Sequence, residues 1–282
     1  MKVHVALILV AFFPVGFSAR RATAEDLFPD KNLEAAVRQE VFDKRNKPDP
    51  LVEADVVNIS QVIGKGKKIT NLKGLEKCKS LQTIDLENNE IVDLSPLKDL
   101  KLLISLYLGR NKIENIEPLS EMTALQLLWI QDNQIMDIAP LAKMTPMGSL
   151  DLSNNRIKRI DALASLPKIH ALYLTNNPVE DFKPLAALKN LERLDLRGCG
   201  VSDLSPLANH TEWRYLFLDN NKITDLSVLV EAAKKDFEGQ KRFAPFWQLY
   251  VGNNPLSDEA KTKQLPEIKK YGSEKTVHLT YP

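Results

Sequence analysis

Carboxylates and aromatic rings recur along this chain at intervals that invite a chemical reading. Asp85, Tyr107, Trp129, Asp151, Tyr173, Asp195 and Phe217 follow one another at steps of 22 residues, and Tyr250 follows Phe217 after 33. Two acids on one surface are the minimum equipment for glycoside hydrolysis, while rings with interspersed charges are the equipment of a binding stripe. A second acidic row, Asp93, Asp137, Asp181, Asp203 and Asp225, could hold a cation or cap turns of helix. Other catalytic signatures are missing from the sequence. It holds no G-x-S-x-G, H-E-x-x-H or C-x-x-C, and "GKGKK" at Gly64 lacks the spacing of a phosphate loop. His210 shares a column with Leu100, Met122, Met144, Leu166 and Leu188 and reads as a core histidine. His170 and His278 have no ligand-type partners at useful spacing, so no metal is expected.

Rows of this kind need a periodic scaffold. Asn89, Asn111, Asn133, Asn155, Asn177 and Asn221 keep the 22-residue step, with Cys199 at the one step they skip and Asn254 after 33. Numbering this asparagine as place 9 of a coil, place 4 runs Ile84, Leu106, Leu128, Leu150, Leu172, Leu194, Leu216, Leu249, and place 6 is apolar in every coil from Leu86 to Val251. Places 11, 14 and 17 are apolar as well, with leucine at place 17 from Leu97 to Leu229. Apolar residues two apart point to one side of a short strand. One coil cannot close its own core, but stacked coils bury each other's faces. At place 9 the chain turns and leaves backbone groups without strand partners, which an asparagine amide can satisfy because it both donates and accepts. Asp at place 13, with Pro three later in most coils (Pro96, Pro118, Pro140, Pro184, Pro206), predicts short capped 3₁₀ turns on the return leg. Capping is the preferred reading of that acidic row.

The pattern matches the leucine-rich repeat, and its 22-residue form with "DLSPL" on the return leg resembles the bacterial internalin-like class. "FPDKNLEAAVRQEVF" resembles that class's helical cap, with Asp30 starting a helix that presents Leu33, Val37 and Val41. The resemblance spans about Phe28 to Leu256. It implies an α/β solenoid: a curved parallel sheet on the concave side, 3₁₀ turns on the convex side, a helical N-terminal cap and a C-terminal helix. It also implies a binder. Such relatives commonly carry wall anchors or further domains, and neither is read here before Pro282.

The divisions expected are a signal peptide over 1–24, an N-terminal helical cap with a degenerate opening coil over 25–68, repeats over 69–256 with an insertion near 230–243, and a C-terminal cap over 257–282. In the first of these, Lys2 precedes an apolar run from Val5 to Phe13, and Ala22 and Ala24 fit a small-x-small cleavage rule. An uncleaved anchor is the alternative, since Arg20 and Arg21 follow the run. Losing Lys2, Arg20 and Arg21 takes the net charge from +1 to −2, which points to neither nucleic acid nor an anionic membrane. Cys78 and Cys199 read as reduced, buried and unbridged. Asn58-Ile-Ser60 and Asn209-His-Thr211 match a glycosylation sequon of low information.

Places 3, 5 and 7 alternate with the inward leucines and so are expected on the solvent side of the strands. Place 5 holds five aromatics in eight sites, against 7% aromatics in the chain. The rings could merely brace the sheet, but a stripe of this size on a wet face reads as an interaction surface. Asp151 and Asp195 stand about 10 Å apart at the ordinary strand spacing, too far for the usual pair of acids. Arg193 and Arg197 flank Asp195 and neutralise it. The sequence therefore points to an exported protein-binding module, secreted or periplasmic, without catalysis or cofactor. Tyr107, Trp129, Tyr173, Phe217 and Tyr250 serve as anchors, and Asp85, Asp151, Arg193 and Asp195 as polar contacts. Carbohydrate binding, a regulatory or accessory role beside an envelope enzyme, and a cytosolic scaffold are the alternatives.

Overall fold

The computed structural model describes residues 26–279; the leader expected over residues 1–24 lies outside them. Each coil lays down a strand of three residues at places 3–5. These are β1 (Gln61–Ile63), β2 (Thr83–Asp85), β3 (Ser105–Tyr107), β4 (Leu127–Trp129), β5 (Ser149–Asp151), β6 (Ala171–Tyr173), β7 (Arg193–Asp195), β8 (Tyr215–Phe217) and β9 (Gln248–Tyr250). With β10 (Val277–His278) they form one ten-stranded parallel sheet in sequential order. The register steps by whole repeats, so Ile84 faces Leu106, Leu106 faces Leu128 and Leu216 faces Leu249. Equal places thus stack on equal places, and every column of the sequence becomes a row in space. The place-4 leucines are fully buried within one continuous apolar core running from Phe28 to Tyr271. Removing one such leucine side chain costs about 2–5 kcal/mol.

Place 9 is held by backbone, not by neighbouring amides. Asn133 Nδ2 donates to Ile130 O at 3.0 Å within its own coil and to Leu108 O at 3.0 Å in the coil before. Its Oδ1 accepts from Ile113 N at 2.9 Å. Asn89, Asn111, Asn155, Asn177, Asn221 and Asn254 repeat this pattern. Cys199 donates its thiol to Leu174 O at 3.1 Å, but sulfur offers no oxygen to the N–H of Val179. The turn itself requires a left-handed residue at place 8, where Asn88, Arg110, Asp132, Asn154, Asn176, Asn220 and Asn253 have φ between 54° and 59° and Gly198 has 66°. Asn and Asp tolerate that conformation best after glycine. Their side chains form a short exposed ladder in which Asn176 donates to Asn154 and Asn154 to Asp132, each at 2.8 Å.

On the return legs, 3₁₀ turns at Ser95–Leu97, Ala139–Lys143, Lys183–Ala187 and Ser205–Leu207 follow the acidic row. Asp93, Asp137, Asp181 and Asp203 accept the N–H two residues on at 2.8–2.9 Å. Each carboxylate is thus engaged as a cap, and no cluster suited to a metal ion is found among the described residues.

Both ends are closed by helices. Asp30 caps α1 (Lys31–Glu40) through Leu33 N at 3.0 Å and also accepts from Thr70 N at 2.8 Å, tying the helix to the first coil. α2 (Glu53–Val56) follows before β1. In the seventh coil α3 (Ser227–Glu238) replaces the 3₁₀ turn, and Asp236 receives the N–H groups of Arg242, Phe243 and Ala244 as the chain returns. A wide π-turn at Ala260–Gln264, started by Ser257 Oγ accepting Ala260 N at 3.1 Å, leads into α4 (Leu265–Tyr271). Pro266 lacks the N–H that would close an ordinary turn there. α4 packs on α3 through Phe237 and Tyr271, with ring centres 5.7 Å apart. Cys78 and Cys199 are buried and free.

Candidate protein-binding face

Side chains at places 3, 5 and 7 stand on the side of the sheet opposite the core, because the strand pleat alternates. The place-5 row has two unlike halves. In the first half, Tyr107 and Trp129 meet edge to face, 5.4 Å between centres at 83°, a favoured aromatic geometry. Trp129 is 36% exposed, whereas Trp213 and Trp247 are buried in the core. Its Nε1 donates to Ser149 Oγ at 3.4 Å, which leans the indole toward β5. Asp151 and Tyr173 come next, both half-buried. Burial pushes the Asp151 carboxyl above the usual carboxylate range against the pull of its bond from Ser153 N at 2.9 Å. Burial likewise raises Tyr173. Asp85, at the start of the row, is half-buried and accepts Glu87 N at 3.1 Å.

The second half differs from the open stripe expected of it. Asp195 is 2% exposed and Phe217 8%, so neither offers a free surface. The cause for Asp195 is Arg197, whose Nε and Nη2 meet both carboxylate oxygens at 2.5–3.0 Å. Arg193 does not share that task; its guanidinium lies over Tyr215, 4.2 Å from the ring centre. Phe217 is covered because rings and guanidinium groups stack around it. Tyr215 is at 6.1 Å and 4°, Tyr250 at 4.7 Å and 20°, and Arg197 at 5.3 Å. Tyr250 in turn stacks on His278 at 4.3 Å and 11°. The row therefore ends in a packed aromatic column that braces the last strands.

Two members of this face were not singled out in the sequence. His278 extends place 5 into β10, and its Nε2 meets Gln248 Oε1 at 2.6 Å. The alternation in "TVHLTY" is the only sequence signal for it. Asp219, at place 7, is 2% exposed; Oδ1 accepts Gly252 N at 3.0 Å while Oδ2 is buried without a partner. Nothing in its column distinguishes it, since the polar residues there vary freely.

His210 is buried at 1% exposure, stacked on Trp213 at 4.9 Å, with Leu185 O 3.1 Å from Nε2 and Leu207 O 3.3 Å from Nδ1. Burial lowers its proton affinity more than these carbonyls raise it, and the ring is a core member.

The family described as "Leucine Rich repeats (2 copies)" matches residues 101–143, 149–187 and 189–231. The structure of internalin C2 from Listeria monocytogenes superposes with a TM-score of 0.64 at 26% identity, over 89% of this chain and 95% of that one. The chain is an internalin-like leucine-rich repeat protein. Internalin F from the same organism is similar at 25% identity and a TM-score of 0.53, over 90% of each chain. The Arabidopsis receptor kinase HAESA, in complex with the peptide hormone IDA and the co-receptor SERK1, shares the fold at 18% identity and a TM-score of 0.59, over 71% of this chain and 39% of that one. No curated protein matches the sequence significantly. In this repeat class the strand face is the surface on which neighbouring coils present equal places side by side, so Tyr107, Trp129, Asp151 and Tyr173 form one continuous row. No helix among the described residues is long and apolar enough to cross a membrane.

Proposed function

We propose that this solenoid is an exported protein-binding module that docks its partner on the strand face and performs no catalysis. The Tyr107–Trp129 pair, in which Trp129 is exposed and Tyr107 half-buried, carries the reading. A tryptophan left in solvent beside a tyrosine, on a rigid sheet, costs little ordering entropy when a partner covers it, and both residue types are enriched among interface hot spots. The receptor kinase HAESA, which shares the fold, is found in complex with a peptide hormone and a co-receptor, which supports a protein or peptide partner. The locked state of Asp195 speaks against its use as a general acid or nucleophile. The contact set is then centred on Tyr107, Trp129, Asp151 and Tyr173, with Asp85 and Arg193 at its margins. Phe217, Tyr250 and Asp195 support the sheet behind it.

The test is capture of a partner from the native envelope by the purified chain. A stoichiometric partner that is retained by a return-leg variant, Lys143→Ala, and lost by Trp129→Ala and Tyr107→Ala is the expected result. The reading fails if Trp129→Ala captures the same set as the parent chain. Export is tested separately by sequencing the native N-terminus, which is expected at Glu25.

A further inference from the structure

The acids of the strand face are not equivalent in their charge balance. Asp195 is neutralised by Arg197. Glu87 pairs with Lys65 at 2.7 Å, and that lysine also feels Asp85. Asp151 has no such cation. Its carboxylate accepts Ser153 N at 2.9 Å, whereas the neighbouring acids Asp195 and Asp132 are paired with Arg197 and Arg110. Arg193, on β7, lays its guanidinium over Tyr215, 4.2 Å from the ring centre. Around Asp151, places 3 and 5 hold Leu127 and Trp129 on β4, Ser149 on its own strand, and Ala171 and Tyr173 on β6.

Asp151 thus lies in register between two aromatic residues, one strand away on either side, and its carboxylate makes no ion pair among the described residues. The strands that carry the two rings stand about 9.6 Å apart at the usual 4.8 Å spacing. Trp129 leans into that span toward Ser149, so a group seated beside it on Asp151 has to be flat. A guanidinium is such a group. It stacks on aromatic faces, is more weakly hydrated than an ammonium, and presents a fork of N–H donors that a carboxylate accepts. We infer that Trp129, Asp151 and Tyr173 form a seat for an arginine side chain of the partner protein. The inference rests on the reading of the strand face as the docking surface and specifies what the partner must bring to it.

The experiment uses the full chain and a minimal probe, N-acetyl-arginine methylamide, with the citrulline analogue as its uncharged counterpart. The Trp129 indole N–H resonance is the reporter, assigned by its loss in Trp129→Phe. The expected result is a saturable shift with the arginine probe whose midpoint is at least about tenfold lower than with citrulline, equivalent to about 1.4 kcal/mol. Asp151→Asn should abolish that preference. Asparagine keeps an oxygen for the Ser153 N–H, so this variant retains the turn, and an unchanged amide spectrum elsewhere verifies it. Equal responses to arginine and citrulline, no saturable response to either, or a preference that survives Asp151→Asn would each overturn the seat. A partner captured through Trp129 that binds the Asp151→Asn chain with unchanged affinity would leave the docking face standing and remove the arginine seat alone.

Discussion

Arg197 grips Asp195 with two nitrogens, Nε 2.9 Å from Oδ1 and Nη2 2.5 Å from Oδ2, while the carboxylate itself is sealed from solvent. Removing the arginine leaves a desolvated charge without its counterion. Breaking a buried pair in this way costs about 3–5 kcal/mol, and the partial exposure of Arg197 sets the expected loss for Arg197→Ala at the lower end, about 3 kcal/mol. Urea denaturation of the two chains measures it. A double variant, Arg197→Ala with Asp195→Asn, should recover most of the loss, because no charge then remains to be balanced.

The place-9 row gives a pair of opposed outcomes. Asn133→Ala strands the Ile113 N–H and two carbonyls, at a cost on the order of 1–3 kcal/mol for the unmet groups. Cys199→Asn should do the reverse. In each other coil from Ile69 to Ile223 the place-11 N–H donates to an asparagine oxygen of the next coil, and the variant supplies that oxygen to Val179. Its midpoint of thermal unfolding is expected to rise, by an amount equivalent to about 1 kcal/mol.

Asp151 carries a pH signature. Burial raises its folded proton affinity above the ordinary 3.8, so the folded state holds the proton more tightly than the unfolded chain does. Its stabilising contribution is complete below pH 3.8 and is lost as pH rises through the elevated folded value. Asp151→Asn is therefore expected to unfold at a higher temperature than the parent at pH 7 and at the same temperature below pH 3.8. Thermal scans at the two pH values decide it. A charge retained at a cost to stability is what a binding residue exhibits.

His210 runs the opposite way. Burial holds its folded proton affinity below the ordinary 6.5, so the contribution is complete above pH 6.5 and is lost as pH falls through the depressed folded value. His210→Leu, which installs the residue found at the same place in Leu188 and Leu166, should flatten the stability profile below pH 6.5. The comparison requires only unfolding midpoints of both chains across that interval.

Much of this fold is written in the columns. Leucine at places 4 and 17, asparagine at place 9 and Asp-x-x-Pro on the return leg each correspond to one local physical demand, and the strands, 3₁₀ turns and amide bonds answer those demands coil by coil. Place 8 was legible in the same way, since Asn, Asp or Gly fills it in all coils but that of Arg110, yet its left-handed role emerges only with the turn. The site was less legible. Alternation says which side of the sheet a residue takes, and that held for Trp129. It does not say how far a neighbour will lean. Phe217 and Asp195 occupy the same column as Trp129, and both are covered because long side chains, Arg197, Tyr215 and Tyr250, fold down on them. Such lateral packing depends on the lengths of residues in three adjoining rows and leaves no period to read.

A sheet whose strands pair only with their sequence neighbours behaves like a stack of coins rather than a keystone arch. Among the described residues no strand pairing bypasses a loose layer, and the layer that joins Pro178 and Val179 to Cys199 is bonded by sulfur where its siblings use an amide. Amide exchange with heavy water should therefore be fastest along that seam. The seam parts Trp129 and Asp151 from the Phe217–Tyr250 column, so a ligand bridging both is expected to slow that exchange by clamping the two ends together.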